Sequence, residues 1–100
     1  SKEGFDSPRD RHKMSFYVYL ILSCKNNKYT SYVGYTSNIV NRIKLHNTSK
    51  GAKFTKGRKW KLIFKKKYLN KSNAMKAEHK LKKNYKLRNY LKKKYLLNNV

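Results

Sequence analysis

The sequence predicts a small α+β domain in which a three-stranded, mainly antiparallel sheet is flanked by helices in the order β-β-α-β-α-α. Three observations carry that expectation. An apolar, Tyr-rich run is followed by a turn and a second strand-like segment. Later stretches place their apolar residues at helical spacing, and a further alternating segment stands between them. At 100 residues there is room for one compact core.

Residues 1–13 hold three of the four acids, the only proline and almost nothing apolar, a composition that predicts a disordered tail or an expression remnant. Residues 14–100 are expected to form the single domain. Phe16 to Leu22 reads as a strand buried on both faces, and Asn26-Asn27-Lys28 as the turn into a second strand from Tyr29 to Tyr35. Ser37 or Asn38 then caps a helix whose apolar positions Ile39, Val40 and Ile43 recur at helical spacing, ending near Asn47. Arg42 and His46, one turn apart, share a face of it. Thr48 to Lys59 reads as a basic loop, and Trp60 to Tyr68 alternates as a third strand. Ser72 or Asn73 caps a second helix through about Tyr85, and Leu87 to Leu97 continues helically after a bend.

The 27 Lys and Arg against four Asp and Glu give a formal charge of +23, more than solubility requires, so the expected partner is a polyanion, with nucleic acid the first candidate. No stretch approaches the roughly 18 apolar residues of a membrane span. The longest apolar run is strand-sized, rich in Tyr, and lacks the small-residue cleavage site of a signal peptide. A single cysteine, Cys24, makes neither an internal disulfide nor a thiolate metal site, which fits an intracellular location, nucleus or cytoplasm left open. It reads as a small residue at a strand end. There is no paired carboxylate, no Cys/His metal cluster, no Gly-rich phosphate loop with its Lys, and no nucleophile elbow, so most enzyme classes have no support.

From Met14 onward one acid remains, Glu78. Ala74, Ala77, Leu81 and Tyr85 lie at i−4, i−1, i+3 and i+7 from it, which places the carboxylate within the apolar stripe of its helix. Half-burying a carboxylate costs several kcal/mol unless a cation or donors meet it. A hard divalent metal satisfies that need, and so does an ion pair with one of the many Lys or Arg. Arg42 offers a planar fork for phosphate, and His46 can donate or accept beside it, although most helix arginines are simply solvated. Of the nine tyrosines, Tyr17 and Tyr19 share one strand face, while Tyr32 lies on the face opposite Tyr29 and Tyr35. Strand tyrosines are usually core or rim, and base stacking is the functional alternative where they line a basic groove. Tyr17, with Lys53, Lys56, Arg58 and Lys59 of the middle loop, is the expected nucleic-acid contact. The Lys65–Lys67 and Lys92–Lys94 runs read as diffuse attraction or import signals.

Together these pieces form an ordered pattern: Tyr17-Val18-Tyr19, Tyr32-Val33-Gly34, Arg42 eight residues after that glycine, His46-Asn47, Gly51-Ala52-Lys53, and Glu78 on a late helix. The pattern resembles the GIY-YIG nuclease superfamily, and within it the small standalone branch akin to the nuclease subunit of eukaryotic structure-selective endonucleases. The match runs from about Phe16 to Arg88. Each motif is short, and specificity comes from their order and spacing.

The resemblance implies that Tyr19 and Tyr32, on adjacent strands, point toward Arg42 and Glu78. It implies that a tyrosine helps deprotonate the attacking water, that the arginine steadies the phosphate, and that the glutamate holds one divalent metal, Mg²⁺ or Mn²⁺, near the leaving oxygen. By that mapping the catalytic set is Tyr19, Tyr32, Arg42, His46 and Glu78, with Tyr32 the first choice of base, Tyr19 its partner, and His46 an auxiliary phosphate or proton contact. A tyrosine near its ordinary pKa of about 10 is a poor base at neutral pH, so cations must help. One departure is visible, Tyr17 standing where the name-giving pattern has glycine. The expected function is a metal-dependent endonuclease acting on DNA, RNA not being excluded, with a preference for branched, nicked or single-stranded features. The alternative is a non-catalytic, basic nucleic-acid-binding module. Either the basic loop and C-terminal helix supply binding, or a protein partner does.

Overall fold

The computed structural model describes residues 15–98, so the tail expected over residues 1–13 lies outside the described residues. Strand β1 (Phe16–Lys25) and strand β2 (Lys28–Thr36) form a hairpin, followed by helix α1 (Ile39–Asn47), a 3₁₀ turn at Lys53–Thr55, strand β3 (Lys61–Tyr68), helix α2 (Lys71–Lys83) and helix α3 (Tyr85–Asn98). The sheet is antiparallel in the order β2-β1-β3. The α+β class and the element order therefore match the expectation.

Local chemistry explains the boundaries. The hairpin turns on Asn26 and Asn27, both left-handed at φ 54° and 64°, the backbone that a two-residue turn between twisted strands requires and that Asn tolerates. Asn38 caps α1 by accepting from the Asn41 backbone N–H at 3.0 Å. The cap of α2 is Asn70, accepting from Asn73 N–H at 2.8 Å, so the helix begins before the expected Ser72 or Asn73. It ends at Lys83, and Asn84 accepts from Leu87 N–H at 3.0 Å to open α3. That break puts Tyr85 at the start of the next helix and exposes it, which removes it from the stripe expected around Glu78.

Each face of β1 buries a different cluster. Val18 and Leu20 pack with Val33, Ala74 and Leu81, with Phe16, Tyr35, Phe64, Tyr68, Ala77 and Leu91 around them, so α2 and α3 cover this face. Tyr19 and Ile21 pack with Trp60 on the other face, with Tyr32, Ile39, Ile43 and Leu62 around them, so α1 covers that one. Val40, expected in the α1 stripe, is exposed, and Cys24 is an exposed, free residue at the end of β1. Helix α3 buries no residue fully and shows Tyr90 and Leu97 to solvent. Among the described residues, no helix is long and apolar enough to cross a membrane.

Candidate active site across the edge of the sheet

The α1 face of the sheet holds a buried hydrogen-bonded chain. Tyr19 and His46 are both fully buried, and the Tyr19 hydroxyl lies 2.7 Å from His46 Nε2. His46 Nδ1 lies 2.9 Å from Thr55 Oγ1. The Thr55 hydroxyl donates to the Ala52 carbonyl at 2.8 Å, so its oxygen must accept from His46 Nδ1–H. That fixes the neutral tautomer: Nε2 keeps a lone pair and accepts the Tyr19 O–H. Arg42 Nε–H approaches the same Tyr19 oxygen at 3.4 Å, at the far end of the chain.

The basic loop holds this chain in place. Trp60 Nε1–H donates to the Thr55 carbonyl at 2.9 Å, and its backbone N–H and carbonyl pair with both ends of the Asn47 amide. Nothing in the apolar periodicity marks Thr55, Asn47 or Trp60 as a support, since each acts through a polar contact with a non-neighbouring segment.

Two glycines owe their identity to the same chain. A Cβ on Gly34 would stand 2.4 Å from the Tyr19 hydroxyl, because these residues are register partners and the ring lies across the strand. A Cβ on Gly51 would stand 2.5 Å from His46 Nδ1. Neither site can absorb a methyl without displacing the Tyr19–His46 pair. Gly34→Ala should cost about 1–3 kcal/mol in urea unfolding, the scale of overpacking a core.

Electrostatics follow from burial. Burial pushes the Tyr19 phenol above its ordinary value, the hydrogen bond and charge of Arg42 oppose this, and Tyr32 and Glu78 add to the rise. Burial, then the Arg42 charge, holds His46 below its ordinary value. The folded chain therefore binds fewer protons at His46 than the unfolded chain does, and this costs stability as pH falls below about 6.5. It keeps the Tyr19 proton that the unfolded chain releases, so stability also falls as pH rises past about 10. Thermal midpoints should thus form a plateau between these limits, and His46→Gln should flatten the acid side.

Tyr32 belongs to the same neighbourhood but is more open. Its ring meets His46 edge-on at 5.2 Å and Trp60 at 6.5 Å, and lies near-parallel to Phe54 at 6.0 Å and 23°. Glu78 comes from the other face. Because β2 is an edge strand, α2 can present side chains toward the α1 face around it, and a groove lined by Ser31, Tyr32, Val33, Phe54, Lys82 and Arg88 runs over that edge. Glu78 pairs with Lys82 one turn away at 3.6 Å, its side chain 19% exposed. It is joined to Tyr19 by field rather than by a hydrogen bond.

The remaining expected residues fall as follows. His46 has no exposed atom for a phosphate, so direct phosphate contact by His46 is set aside, and only a proton role remains open to it. Lys53, Lys56 and Lys59 are exposed on the loop, whereas Arg58 is half-buried with Nη1 out of reach of solvent and without a hydrogen-bond partner. Tyr17 is half-buried beneath Lys65, whose Nζ lies 5.9 Å from the ring centroid. Lys65 and Lys67 pair in register with Tyr19 and Tyr17, which places both lysines on the α1 face. The sequence reads their run as diffuse attraction or an import signal, and the β1–β3 register that puts two of them on the α1 face is not visible in it.

Glu78 is the one carboxylate available to a metal among the described residues. Among the described residues, no group of three or more His, Cys, Asp or Glu gathers at one place. The partly exposed Glu78 carboxylate suits a hard ion that keeps several waters and is completed by substrate phosphate.

The family model described as the GIY-YIG catalytic domain matches residues 15–94. A UPF0213 protein of Pediococcus pentosaceus is 51% identical over 41 residues, covering 41% of this chain and 40% of that protein. Another, from Staphylococcus haemolyticus, is 52% identical over 40 residues, covering 40% and 45%. The matched stretch thus spans less than half the length of these curated relatives. The solution structure of a UPF0213 protein from Bacillus halodurans is 37% identical and covers 85% of this chain and 84% of that one, with a TM-score of 0.41.

Proposed function

The chain belongs to the GIY-YIG family of nuclease domains, and from that premise we propose that it hydrolyses phosphodiester bonds in DNA with the help of one divalent metal, Mg²⁺ or Mn²⁺. The observation that supports this best is the buried chain from Arg42 through Tyr19 and His46 to Thr55. A fixed histidine tautomer behind a tyrosine is an arrangement suited to handling a proton.

The roles follow from accessibility. Arg42 is steadied by the Tyr19 oxygen and directs positive charge at the phosphate. Tyr32, open to the groove and with its own phenolic proton first given up to solvent, takes the proton of the attacking water as the water oxygen bonds phosphorus and the bond to O3′ breaks; O3′ takes up a proton from solvent, leaving 5′-phosphate and 3′-hydroxyl ends. Tyr19 stays protonated behind it, its O–H donating to His46 Nε2. Glu78 would hold the metal, which supplies charge stabilisation to the phosphate and leaving oxygens. Lys65, Lys67 and the loop lysines attract the backbone.

A non-catalytic binding module is the second reading, and the Lys82–Glu78 pair favours it, since it gives the carboxylate a structural partner. Labelled duplex, single-stranded, flap and four-way-junction DNA, with matching RNA, separate the two at near-physiological salt. The nuclease reading expects cutting of DNA, strongest where strands branch, are nicked or are unpaired. Binding to every probe with no cutting of any would replace it with the second reading.

A further inference from the structure

Phe54 is 58% exposed, yet it is held firmly. It sits in the short turn Lys53–Thr55, and its neighbour Thr55 is fully buried and tied to His46, to the Ala52 carbonyl and to Trp60. One face of the Phe54 ring lies against Tyr32, while the ring as a whole remains largely open. The groove beside it carries two cations, Lys82 and Arg88. Arg88 is fixed in the groove wall, its Nε–H donating to the Leu81 carbonyl at 3.1 Å and its guanidinium lying over the Tyr85 ring.

We propose that Phe54 is a stacking platform for one unpaired or terminal nucleobase, with Lys82 and Arg88 receiving the phosphates that flank it. This rests on the chain acting on nucleic acid. Three features favour a base over an apolar peptide. The patch is a single rigid aromatic plane rather than a broad apolar surface, its flanks are cationic, and the +23 chain would repel basic segments and hold polyanions. The platform also selects. A base inside a duplex already has neighbours on both faces, so only a base at a nick, a branch, a strand end or a single strand has a face free for Phe54. Since Phe54 is stacked on Tyr32, the captured base lies one ring beyond the residue assigned to the attacking water, which sets where the cut falls.

The test uses DNA carrying 2-aminopurine at the unpaired position of a flap, with chelator present to prevent cutting, and wild type, Phe54→Leu and Phe54→Trp. Phe54 is exposed, so all three should keep the wild-type thermal midpoint. Wild type should quench the 2-aminopurine signal, Phe54→Trp should quench it as well, and Phe54→Leu should not. Phe54→Leu should also bind the flap roughly 5- to 150-fold more weakly, the range for losing one base–aromatic stack, with binding to a fully paired, covalently closed circular duplex unchanged. Equal binding and equal quenching by Phe54→Leu would overturn the platform. Quenching by a wild type that cuts nothing would sink the nuclease reading alone, and cutting without quenching would sink the platform alone.

Discussion

Glu78→Gln should reduce metal-dependent cutting by about three orders of magnitude or more, the equivalent of the several kcal/mol a Lewis acid contributes, while binding to DNA persists. Glu78 is the only acid from Met14 onward, so among the described residues no other acidic side chain can take over its charge. Gln keeps the volume and one carbonyl oxygen but loses the negative charge that draws a divalent ion. The fold should hold, because the Lys82 partner is half exposed and an exposed pair of this kind is worth at most about 1 kcal/mol. Removing an acid raises the positive charge of the groove, so affinity for a polyanion should be kept or slightly increased. Parallel loss of cutting and binding would point to misfolding, and unchanged cutting would remove Glu78 from the site.

Tyr32→Phe should lower the cutting rate by about 10²- to 10⁴-fold, the usual contribution of a general base, without loss of stability. Phe retains the ring that meets His46, Trp60 and Phe54, so only the hydroxyl disappears. Tyr19→Phe provides the contrast. It leaves the fully buried His46 Nε2 without its donor, which costs about 1–3 kcal/mol, and frees Arg42 from its anchor. Single-turnover rates together with urea unfolding separate the two: a rate defect alone for Tyr32→Phe, and both defects for Tyr19→Phe. A stable Tyr32→Phe protein that cuts at the wild-type rate would move the base elsewhere.

The hairpin, the third strand and the helices were legible in the sequence because each has a local cause: apolar alternation, Asn-rich turns, or helical spacing behind an Asn cap. What required the structure depends on contacts between distant segments. Thr55 and Trp60 look like ordinary loop and strand-edge residues until the loop folds back under His46. The selection of Asn70 over Ser72 or Asn73 as a cap, and the break at Asn84 that exposes Tyr85, turn on which of several adjacent polar residues faces the helix end. Gly34 stood in a motif, but its reason is the Tyr19 ring lying across it. The meeting of Lys82 and Arg88 with Tyr32 and Phe54 over the β2 edge follows from the strand order β2-β1-β3, which local pattern does not encode. Burial of His46 removes the phosphate contact that its position beside Arg42 suggested.

The central claim, that this basic domain is a metal-dependent nuclease, is tested most directly by a time course on one end-labelled flap DNA with Mg²⁺, with Mn²⁺ and with chelator. The account predicts a discrete product whose new 5′ end is phosphorylated and can be ligated, formed with either metal and absent with chelator. DNA that is bound throughout and never cut, or cut equally well in chelator, would contradict it.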